Sequence, residues 1–82
     1  MYRIYNPVTN TYAREGIDDR WTKHGKVWTT LGHLKLHLSH VKEYPYTDRY
    51  RKYMTHNCVV INALTDEEFS VKLLINNPEN FK

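Results

Sequence analysis

The apolar positions of this chain change their period along its length. Tyr2-Arg3-Ile4-Tyr5 alternates as a strand does, Asn6-Pro7-Val8-Thr9-Asn10 supplies turn residues, and Thr11-Tyr12-Ala13-Arg14 resumes the alternation. This predicts a β-hairpin whose loop is set by Pro7 and Asn10. Residues 15–19, opened by Gly16, read as a loop. Trp21-Thr22-Lys23 and Lys26-Val27-Trp28 flank His24-Gly25, which predicts a short hairpin or a tight bend. A small core needs the area of indole rings, so both tryptophans are assigned to it.

The period then becomes helical. Leu31, Leu34, Leu38 and Val41, spaced by three, four and three, form one apolar stripe on a helix over about 30–43. Thr29 or Thr30 suits its start and Lys42 its end. Pro45 stops it by disfavouring helical geometry at Tyr44. Gly32 weakens the first turn by about 1 kcal/mol relative to alanine, and a close backbone approach would explain its presence. Residues 44–56 show no clear periodicity. Cys58-Val59-Val60-Ile61 reads as a buried strand. Thr65-Asp66-Glu67-Glu68 has capping-box spacing and predicts a helix over 66–76, with Val71, Leu74 and Ile75 inward. Phe69, Val71, Leu73 and Ile75 also alternate, so a strand stays open there. The tail after Pro78 is expected to fray. The expected fold is α+β: a small antiparallel, hairpin-rich sheet packed against one main helix, with a second helix near the C-terminus.

Length and composition narrow this picture. The 82 residues suit one domain, 1–82. A domain this size buries only about two-thirds of its unfolded surface, which leaves a homo-oligomer open as extra support. Cys58 is the only cysteine, so no internal disulfide can form, and a reducing compartment is favoured. No apolar run approaches the ~20 residues of a membrane helix, and residues 1–7 lack the apolar segment of a signal peptide. A cytoplasmic protein without membrane contact is expected. The net charge is +3 but uneven: residues 1–56 carry ten Lys/Arg against five Asp/Glu, and 57–82 carry two against four. A basic front half suits nucleic acid or an acidic protein surface.

Two clusters could carry function. His33, His37 and His40 fall within an arc of roughly 60° on the main helix, centred about 120° from the leucine stripe. They therefore read as an exposed flank. His33 and His37, at i and i+4, have a spacing that can hold Zn²⁺. His40 lies about 10 Å from His33, too far to share the ion, and His56 with Cys58 is the only reserve of ligands. The bland alternative is a solvated helix face, and no cofactor is assigned. The second cluster is Tyr46 with Arg49-Tyr50-Arg51-Lys52-Tyr53. Tyrosine and arginine are enriched at protein interfaces, and the same residues can neutralise phosphates and stack on bases. An ordinary surface loop is the plain alternative.

Catalysis finds little support. The glycines are scattered at 16, 25 and 32, and no phosphate loop, nucleophile elbow or redox cysteine pair appears. Asp18-Asp19 reads as a solvated turn, and Cys58, in an apolar run, as a buried inert thiol.

Tyr2-Arg3-Ile4-Tyr5-Asn6-Pro7 through Tyr12, then Trp21-Thr22-Lys23-His24-Gly25-Lys26-Val27-Trp28 and Leu31-Gly32-His33-Leu34-Lys35, resemble small accessory proteins of tailed bacteriophages. The resemblance covers the first half of the chain. It implies a protein acting in the host cytoplasm that binds, and in some cases inhibits, a host or defence protein. It carries over no catalytic residue. The expected function is therefore a non-enzymatic interaction protein. The alternatives are a nucleic-acid-binding module using the 49–53 segment and, third, a metal-binding helix.

Overall fold

The first hairpin forms where the alternation places it. In the computed structural model, which describes residues 1–14 and 21–77, β1 (Tyr2–Asn6) runs antiparallel to β2 (Thr11–Ala13). The expected loop at 15–19, with Asp18 and Asp19, and the tail after Pro78 lie outside the described residues. Asn6 organises the turn: its buried side-chain oxygen accepts from the Val8 amide at 2.9 Å and the Thr9 amide at 3.4 Å. Asn10 closes it with a left-handed φ of 57°, a conformation that asparagine tolerates.

β3 (Trp21–Thr22) pairs antiparallel with β2. The chain then bends rather than closing a second regular hairpin. Gly25 has φ +68°, and a Cβ there would collide with Tyr12 Cβ, so only glycine fits. The bend returns Trp28 to β1, where its backbone exchanges hydrogen bonds of 2.8 and 2.9 Å with Tyr2. Trp28 is buried and Trp21 packs half-buried against the core.

α1 (Leu31–Glu43) matches the predicted helix. Thr30 caps it, its hydroxyl accepting from the His33 amide at 3.2 Å, and it ends before Pro45. Leu34, Leu38 and Val41 are buried, with Leu31 packed beside them. A Cβ at Gly32 would meet nothing within 4 Å among the described residues, so no close approach there explains this glycine. Residues 44–56 correct the sequence reading, because they contain α2 (Asp48–Thr55). Thr47 caps it, accepting from the Tyr50 amide at 3.3 Å. His56 and the left-handed Asn57 (φ 54°) end it.

β4 (Val59–Asn62) forms where Cys58-Val59-Val60-Ile61 predicted a strand, and it pairs with β1. Within it only Val60 is buried: Val59 and Ile61, whose alternate side chains point away from the helices, and Asn62 at the strand's end are half-buried. Residues 66–76 then divide between the two readings: β5 (Glu68–Ser70) is followed at once by α3 (Val71–Asn76). Thr65 does not cap a helix. It serves the β4–β5 turn, its hydroxyl accepting from the Glu67 amide at 3.3 Å, beside Asp66 at φ 59°. Ser70 is the cap instead, and Val71, Leu74 and Ile75 are buried as expected.

The described residues thus form an α+β fold with an antiparallel sheet in the order β3-β2-β1-β4-β5. Ile4, Ala13 and Val60 point to one face and join Leu34, Leu38, Val41, Tyr53, Val71, Leu74 and Ile75 in one cluster. All three described helices therefore contribute to a core on that face. No described helix is long and apolar enough to cross a membrane.

Candidate functional site

The structure divides both sequence-predicted clusters between surface and core. Arg49 and Tyr53, one helical turn apart on α2, are 0% exposed. They correct the expectation that the 49–53 segment presents itself to a partner. Arg49 can lie inside because its guanidinium is weakly hydrated and planar. It sits 5.2 Å from the Trp21 ring centroid and 5.7 Å from that of Tyr53. Its Nη1 donates to the Arg14 carbonyl at 2.6 Å and to the Tyr53 hydroxyl at 3.1 Å.

His37 joins this group and so corrects the exposed-flank reading of α1. Its ring packs at 4.8 Å from Trp28, and its Nε2 lies 2.8 Å from the Tyr53 hydroxyl. A guanidinium can only donate, so the Tyr53 hydroxyl accepts from Arg49, and the same hydroxyl shares a second hydrogen bond with His37 Nε2, whose direction follows the tautomer of the imidazole. The spacing contained this signal. His37 sits only about 40° from Val41 around the helix, at the edge of the apolar stripe, whereas the arc of all three histidines averages that edge away. His33 and His40 are exposed.

Of the remaining predicted residues, Tyr46 is 80% exposed and meets Tyr44 edge-on at 6.0 Å. Tyr50 is half-buried against the core. Lys52 is half-buried, and Arg51 is exposed but paired with Asp48 at 2.6 Å. The segment therefore does not assemble the row of solvent-facing cations that its sequence suggested. The reserve metal ligands are engaged elsewhere: His56 Nδ1 lies 3.1 Å from Asn6 Nδ2, and Cys58 Sγ lies 3.5 Å from the Lys52 carbonyl. Among the described residues, no three His, Cys, Asp or Glu side chains come together to hold a metal. Burial pushes the Cys58 thiol up to about 12 and raises the Tyr53 hydroxyl as well, with Arg49 opposing both shifts. At neutral pH both groups stay protonated, so Cys58 is a poor nucleophile.

Two surfaces remain that the sequence did not single out as such. One is an open cleft of about 280 Å³ lined by Lys26, Val27, Trp28, Thr29 and His33, at the small end for a ligand site. The other is the sheet face opposite the core. Tyr5 stands opposite Tyr12, their rings 5.2 Å apart, and the Arg3 guanidinium lies 5.6 Å from the Tyr12 centroid. Register alone puts these residues together, and alternation within each strand was the only trace of it in the sequence. No protein-family model matches the chain, and neither a curated protein nor a solved structure matches it.

Proposed function

We propose that this chain is a non-enzymatic interaction protein that binds a partner protein through the connection between α1 and α2. The observation that carries the reading is Tyr46, 80% exposed and paired edge-on with Tyr44. Large aromatic side chains held out to solvent on a short connection between helices are the residue type that anchors protein interfaces. The resemblance of the first half to small tailed-phage proteins supports a host or defence protein as the partner, met in the host cytoplasm.

The test is capture from bacterial lysate by the full chain, compared with Tyr46→Ala and Tyr44→Ala. A stoichiometric protein partner is expected with the parent chain and should be lost with Tyr46→Ala. Recovery of no stoichiometric partner, or of one that both variants retain, would overturn the reading. Size-exclusion chromatography of the parent chain reports whether a second copy occupies the surface instead.

A further inference from the structure

We draw no further inference here: the strongest candidate, the open cleft of Lys26, Val27, Trp28, Thr29 and His33 at the start of α1, rests on a helix N-terminus, and no second observation among the described residues points to a ligand in it.

Discussion

α1 and α2 bury faces of nearly opposite chemistry against the same core. α1 presents Leu34, Leu38 and Val41. α2 presents Arg49 and Tyr53. The first face gains stability by removing apolar area from water and needs no particular partner. The second needs its hydrogen bonds made: Arg49 to the Arg14 carbonyl and to Tyr53, and Tyr53 to His37. A non-directional face tolerates imprecise packing, whereas a hydrogen-bonded one fails when any member is removed. The polar chain from α2 through Tyr53 to His37 also ties the two helices together.

Truncation should expose this difference most strongly at Arg49. Arg49→Ala removes the stacks on Trp21 and Tyr53 and strands the Arg14 carbonyl. Its expected cost is about 4 kcal/mol by urea denaturation. Arg49→Met keeps the stem but no donors and should recover only part of that. If it recovers all, the α2 face is apolar in effect and the contrast collapses. Leu34→Ala is the matching truncation on α1, with an expected cost of about 3 kcal/mol. A loss larger than that of Arg49→Ala would reverse the ranking.

Tyr53→Phe sharpens the comparison with almost no change in shape. It should cost about 1.5 kcal/mol at neutral pH by leaving His37 and Arg49 each one partner short. The same site predicts a response to alkali. The folded-state values of Cys58 and Tyr53 are raised above their ordinary 9.0 and 10.0. The unfolded chain therefore releases these protons first as pH rises. Stability should be intact below about pH 9 and fall as pH climbs through the folded values. Denaturation midpoints at about pH 8 and about pH 11 measure this, and Cys58→Ala with Tyr53→Phe should flatten the fall. A midpoint that does not drop would contradict the burial of both groups.

The smallest expected effect lies at the start of α1. Gly32→Ala meets open space and should stabilise the chain by about 1 kcal/mol. Destabilisation would mean that something covers this turn. Gly25 is the opposite case, where the left-handed φ and the Tyr12 contact make alanine strained.

Much of the fold was legible because it rests on neighbours in sequence. The β1–β2 hairpin follows from alternation around turn residues, and α1 from its leucine spacing, Thr30 and Pro45. The inward face of α3 was also readable, though its start was misplaced: Thr65 had the right spacing for a cap but was claimed by the β4–β5 turn. α2 was hidden because its inward positions are arginine and tyrosine, residues that alone signal a surface. The candidate sites fared less well for the same reason. Tyr46 is exposed as its sequence implied, while Arg49, Tyr53 and His37 face inward.

By itself, then, the sequence determined the α+β class, the limits of α1 and the burial of its stripe, because periodicity and capping act within a few residues. Only the tertiary structure decided three further things. It placed β4 beside β1, turned the Arg49–Tyr53–His37 chain into the core, and set Tyr5 against Tyr12 with Arg3 alongside. Each depends on residues far apart in the chain whose partners exist only once the sheet register and helix packing are fixed.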